Sequence, residues 1–167
     1  MKINTIKLND IVNSDEGINI SVFTQYCPHH CKGCFNKETW TLDGGYEYND
    51  KVYQYIYENI NKNGVKRNLS LLGGEPLAAP NIEGVIDLCK RFKNDFPERH
   101  IYLWTGYVFE DLSDGQREVL PYIDIMIDGK FVEELKDITL KLRGSKNQRV
   151  IDVRESLKQD RIILYCE

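Results

Sequence analysis

Three cysteines fall within eight residues, Cys27, Cys31 and Cys34, in the pattern C-x3-C-x2-C. Thiolates are soft donors suited to zinc and iron, and three on one short loop can converge on a single metal centre. Two chemistries fit. A structural zinc would complete a Cys3His tetrahedron with His29 or His30. A closed iron–sulfur cluster normally takes four thiolates, so a cubane held by only three has one iron without a protein ligand, open to a substrate. Zinc knuckles usually draw ligands from two separated pairs, whereas every donor here sits on one loop, which favours the open cluster. A second group, Gly73-Gly74-Glu75-Pro76, closes an apolar run. Glycines let backbone approach a ligand with no Cβ in the way, and Glu75 adds an acceptor for an ammonium-like donor. The plainer reading of two such glycines is a turn.

The elements around these groups must bring them to one place. Residues 18–23 alternate apolar and polar side chains and read as a strand running straight into the cysteine loop. Asn49 or Asp50 can cap a helix with Val52, Tyr55, Ile56 and Ile60 on one stripe, ended by Gly64. A second strand at 68–72 ends at the Gly73-Gly74 pair. A helix opens at Pro80 and Asn81, carries Ile82, Val85, Ile86, Cys89, Phe92 and Phe96 on one face, and stops at Pro97. A strand at 100–104 ends at Thr105, a short helical stretch lies around 116–120, and a strand at 123–127 ends at Asp128. After a loop at 143–149 come two strand-like runs, 150–153 and 162–165. Strands alternating with helices predict an α/β fold with a mainly parallel sheet. A full eightfold barrel takes about 250 residues, so 167 residues allow only a partial, incomplete βα barrel, of about four to six strands.

Composition narrows the class. The chain reads as a single domain over 1–167, with 41% apolar residues and ten tyrosines, enough for a proper core. No apolar run reaches membrane-spanning length, and the first residues lack the apolar stretch of a signal peptide. A cytoplasmic protein is therefore expected, and five cysteines in that setting read as metal ligands, not disulfides. A net charge of −4 gives no basic footprint for nucleic acid.

The cysteine spacing resembles the signature of the radical S-adenosylmethionine superfamily, and Gly73-Gly74-Glu75-Pro76 is similar to its G-G-E-P motif. That resemblance implies a partial βα barrel and a 4Fe-4S cluster ligated by Cys27, Cys31 and Cys34. The open iron would chelate S-adenosylmethionine, whose reductive cleavage gives methionine and a 5′-deoxyadenosyl radical. It further implies that Gly33, Cys34, Phe35, Gly74 and Glu75, with Thr105, contact that cofactor. Two departures stand out. Many members carry an aromatic residue just before the last cysteine, where this chain has Gly33, with Phe35 following instead. Relatives that activate glycyl-radical enzymes often carry an Asp-Gly-Pro-Gly-type turn, whereas here Asp15-Glu16-Gly17-Ile18 lacks the proline.

Four further stretches resemble the activating enzymes of anaerobic ribonucleoside-triphosphate reductases. They are C-F-N-K-E-T-W at 34–40, W-T-G-Y at 104–107, D-G-K-F at 128–131, and L-R-G-S-x-N-Q-R at 142–149. This narrower likeness implies hydrogen abstraction from a glycine Cα on the large reductase subunit, with an electron donor such as reduced flavodoxin. No side-chain acid or base is implied beyond the cluster. The rival readings are a radical enzyme acting on a small molecule and a zinc-binding interaction module. His29 and His30 are expected to flank the cluster, and Cys89 to lie in the core. Asp128, Arg143 and Arg149 are left open between ligand, partner and surface roles.

Overall fold

Alternating side chains give each strand two unlike faces, and that alternation sets the architecture. The structure is a computed structural model that describes residues 1–166. Its strands are β1 (Lys2–Asp10), β2 (Ile18–Thr24), β3 (Tyr46–Glu47), β4 (Arg67–Gly73), β5 (Ile101–Trp104), β6 (Ile125–Asp128), β7 (Arg149–Asp152) and β8 (Leu164–Cys166). Its helices are α1 (Asp50–Ile60), α2 (Ile82–Asp95), α3 (Asp114–Arg117) and α4 (Val153–Gln159), with short 3-10 turns between. The strands form one open sheet in the order β3-β1-β2-β4-β5-β6-β7-β8.

The expectation of a mainly parallel sheet needs correction. Only β2, β4, β5 and β6 run parallel. They are flanked by antiparallel β1 and β3 on one side and β7 and β8 on the other. The sheet is therefore mixed, with a parallel centre. The long helical connections of the centre carry the chain back to start each next strand in the same direction, while the flanks use shorter or irregular connections that reverse it. The four parallel strands all deliver their C-terminal ends to one edge, with Thr24 paired beside Gly73 in register.

One face of the sheet is apolar and covered by helices. Ile20, Val22, Leu69, Leu71, Ile101, Leu103, Met126 and Ile151 pack there against α1 and α2 through Ile56, Ile60, Leu88 and Phe92. Each fully buried side chain of this size contributes about 1.5–3 kcal/mol over exposure. α1 starts at Asn49, whose side chain accepts from the Lys51 and Val52 amides at 3.0 and 3.3 Å. Its buried stripe is Tyr53, Ile56, Asn59 and Ile60. Tyr55, expected on that stripe, is 45% exposed, because Tyr53 takes the inner place and donates to Asp95 at 2.6 Å. The helix ends at Ile60, ahead of Gly64.

The other face is partly polar. It presents Asn19, Ser21 and Ser70, all buried, beside Tyr102, Ile125, Ile127 and Val150. The β1–β2 loop crosses it, and the Asn13 carbonyl accepts from Asn19 Nδ2 at 2.8 Å and Ser70 Oγ at 2.6 Å. Trp104 Nε1 donates to the Leu142 carbonyl at 2.7 Å, holding the segment between β6 and β7 over the same face. Asp15 joins these covers, paired with Lys141 and accepting from the Tyr165 hydroxyl at 2.6 Å. This gives the Asp15 turn a fastening role in the fold. No helix among the described residues is long and apolar enough to cross a membrane.

Candidate functional site

Four loops leave the aligned ends of β2, β4, β5 and β6, and they surround one cavity. Cys27, Cys31, Cys34 and Phe35 line it from the first loop, Gly74 and Glu75 from the second, Thr105 and Gly106 from the third, Lys130 and Phe131 from the fourth. Asn13, from the β1–β2 loop, also reaches it. Ligand sites in open parallel sheets form where the carboxyl ends of strands release their loops.

The cysteine loop is tightly turned. Tyr26 and His30 adopt positive φ, an uncommon conformation for side-chain-bearing residues. The Cys34 amide donates to the Cys31 carbonyl at 3.1 Å, and the Cys27 amide to the Trp40 carbonyl at 3.3 Å. Backbone amides also aim at the sulfurs. Those of His29 and His30 face Cys27, that of Phe131 faces Cys31, and that of Asn36 lies 3.4 Å from Cys34 Sγ. Burial pushes the Cys27 thiol up to about 11, and burial likewise raises Cys31. Both thiols therefore stay protonated at neutral pH until a metal takes the proton's place.

These features fit an iron–sulfur group. Three sulfurs face one cavity, and N–H donors stand ready to share the charge of thiolates. A Cys3His zinc site would need one of two imidazoles as its fourth ligand. The two candidate imidazoles are engaged elsewhere: His29 Nε2 lies 2.9 Å from Glu75 Oε2, and His30 stacks on Trp40 at 4.7 Å.

The Gly73-Gly74-Glu75 turn earns its residues by packing as well as position. A Cβ on Gly74 would lie 2.4 Å from the Tyr26 carbonyl oxygen, and the Glu75 amide donates to that same oxygen at 2.7 Å. The close approach is thus to the backbone of the cysteine loop. Glu75 is buried, and both its oxygens are engaged. Oε1 accepts from Thr105 Oγ1 at 2.8 Å and the Leu77 amide at 2.9 Å, while Oε2 accepts from the Gly106 amide at 2.7 Å and meets His29. The carboxylate therefore braces three loops. Buried Asn81 adds a second brace, donating to the Gln25 and Glu75 carbonyls at 2.8 and 3.1 Å.

Of the residues singled out from sequence, Cys27, Cys31, Cys34, Phe35, Gly74, Glu75 and Thr105 converge on the cavity. Gly33 does not line it, and a Cβ there would lie 2.8 Å from Glu133 Oε1. Phe35 projects from the rim, 81% exposed, with Lys136 5.0 Å from its ring. Asp128 turns away and accepts from the Phe109 amide and Arg149, which also grips Glu110. Arg143 donates to the Gln148 carbonyl. Both arginines are fasteners of the β6–β7 region, and Cys89 lies in the core as expected. Sequence reasoning missed Lys130, Asn81 and the engagement of His29. The first lay inside the quoted D-G-K-F stretch, and the other two are visible only once the loops meet.

The chain matches the family described as a 4Fe-4S single cluster domain over residues 14–151. It is 41% identical over 140 residues to the anaerobic ribonucleoside-triphosphate reductase-activating protein of Vibrio cholerae, covering 83% of this chain and 90% of that one. This chain belongs to the anaerobic ribonucleoside-triphosphate reductase-activating protein family. Other members of the family span bacteria and phage. The Escherichia coli (strain K12) protein is 38% identical over 146 residues, covering 87% of this chain and 94% of its own. The protein of Enterobacteria phage T4 is 39% identical over 142 residues, covering 84% and 87%. In this activating-protein family member, residues 14–151 take in all four loops around the cavity.

Proposed function

We propose that this chain is the activating enzyme of an anaerobic ribonucleoside-triphosphate reductase, using a 4Fe-4S cluster and S-adenosylmethionine. When bound, these groups supply a 5′-deoxyadenosyl radical that takes a hydrogen atom from the Cα of one glycine on the large reductase subunit. The observation that carries this reading is the convergence of Cys27, Cys31 and Cys34 with Gly74, Glu75 and Thr105 on one cavity. The names of the relatives support the same partner.

The chain's residues divide the work. Cys27, Cys31 and Cys34 hold the cluster, and the amides facing their sulfurs spread thiolate charge. The Gly74 backbone would hold the amino group of S-adenosylmethionine, with Thr105 beside it, while Glu75 braces the turn from within. Lys130 lines the cavity with no side-chain partner among the described residues and supplies a cation for the carboxylate. Phe35, on the rim, offers a face to the adenine in place of the aromatic residue missing at Gly33. Four adjacent parallel strands with their loops at one end support a partial βα barrel of the radical S-adenosylmethionine type. We place the protein in the cytoplasm as one domain, reduced by a donor such as flavodoxin.

Anaerobic reconstitution with iron and sulfide tests the reading. The expected product is a brown protein with about four irons per chain, which on reduction converts S-adenosylmethionine to methionine and 5′-deoxyadenosine. A colourless protein with one tightly held zinc would overturn it. Cleavage coupled to a small metabolite, with no reductase required, would transfer the chain to a different substrate class.

A further inference from the structure

We infer that His29 is a positioning residue, whose imidazole clamps the cysteine loop onto the ends of β4 and β5 and so holds the cluster in register with S-adenosylmethionine. The inference rests on the proposed function above. His29 lies between Cys27 and Cys31 and lines the same cavity, and its ring meets the neighbouring loops. The side chain is only 7% exposed, and Nε2 lies 2.9 Å from Glu75 Oε2. The ring packs edge-on against Tyr107 at a centroid distance of 4.7 Å.

Gly106 completes the clamp. A Cβ there would lie 2.4 Å from His29 Cδ2 and 2.6 Å from Nε2. The ring is boxed in by Glu75 and Tyr107 and has no flexible end with which to yield. The third loop therefore carries glycine where it meets the first. Through Glu75, the same contact reaches Thr105 Oγ1 and the Gly106 and Leu77 amides. One imidazole thus ties the cluster-bearing loop to both loops that face the cofactor. Groups behind a metal site commonly govern it in this way, at a cost of about 10–100-fold when they are lost.

The clamp makes a geometric prediction that a generic folding role does not. Evicting the ring by Gly106→Ala should resemble removing it by His29→Ala, and the double variant should be no worse than either. His29→Gln, which keeps an N–H donor for Glu75, should restore function. In full-length metal-free protein, amide exchange across residues 26–34 is expected to quicken about tenfold or more in His29→Ala and Gly106→Ala. His29→Gln should remain near wild type. After reconstitution, all variants should hold wild-type iron. The S-adenosylmethionine concentration for half of its effect on the reduced-cluster paramagnetic spectrum should rise about tenfold in the two disrupting variants.

Wild-type exchange and titration in His29→Ala would overturn the clamp. So would a His29→Gln variant as impaired as His29→Ala, or additive losses in the double variant. Iron lost from His29→Ala alone would make the ring a ligand and overturn it equally. A wild-type protein that takes up iron but shows no response to S-adenosylmethionine would instead overturn the proposed function, and with it the purpose assigned to the clamp.

Discussion

Cys31 shows how several requirements meet at one side chain. Its sulfur faces the cavity, it receives the Phe131 amide from the fourth loop, and its carbonyl accepts from Cys34. Cys31→Ala should abolish iron–sulfur absorbance and cofactor cleavage together, while far-ultraviolet dichroism stays unchanged. A variant that still cleaves S-adenosylmethionine would refute the ligand role. Lys130 poses a different question, since it lines the cavity and places a positive charge near Cys31 without a hydrogen bond to it. Lys130→Ala should keep the cluster and raise the KM for S-adenosylmethionine about tenfold, equivalent to about 1.4 kcal/mol. An unchanged KM would remove Lys130 from the cofactor's surroundings.

Elements are held by fewer contacts than their number suggests, and the clasp over β6 and β7 illustrates it. Arg149 bridges Asp128, which is buried, and Glu110, whose side chain is half exposed. Arg149 holds the Glu110 carboxyl down at about 2 from its ordinary 4.5. A carboxyl so depressed binds fewer protons folded than unfolded between those values. Its contribution is therefore full above about pH 4.5 and fades as the pH falls towards 2. Arg149→Met should flatten that dependence, and should destabilise by about 3 kcal/mol at neutral pH by stranding buried Asp128. Urea unfolding from pH 2 to 7 measures both, and an unchanged slope would discount the clasp. Local signals made some of these elements legible in the sequence. The Asn49 cap and the apolar runs of β2 and β4 lie within a few residues of what they specify. β1 escaped because register shifts near Thr5 and after Lys7 break its alternation. α4 escaped because seven residues are too few to show a helical period. The direction of β7 and β8 depends on how connections fold back, which no window of the sequence contains. The site divides the same way. Cysteine spacing, the Gly-Gly-Glu turn and the stretch holding Lys130 are local, whereas the bracing by Asn81 and the His29–Glu75 contact arise from loops brought together across the sheet.

At the scale of the whole molecule, the open sheet leaves the cavity bordered by loops, not enclosed by a second set of strands. A small-molecule radical enzyme needs walls that exclude water and stray hydrogen donors, and the described strands form one open sheet that does not close around the cavity. An open flank suits a folded partner that brings its own walls to the site. The central claim is therefore about a transfer between two proteins. Reduced, reconstituted protein should be mixed anaerobically with S-adenosylmethionine and the large reductase subunit, and the reductase then examined by electron paramagnetic resonance. The account predicts a doublet glycyl radical on the reductase that depends on all three components. Cofactor cleavage at full rate with no radical on the reductase would contradict it.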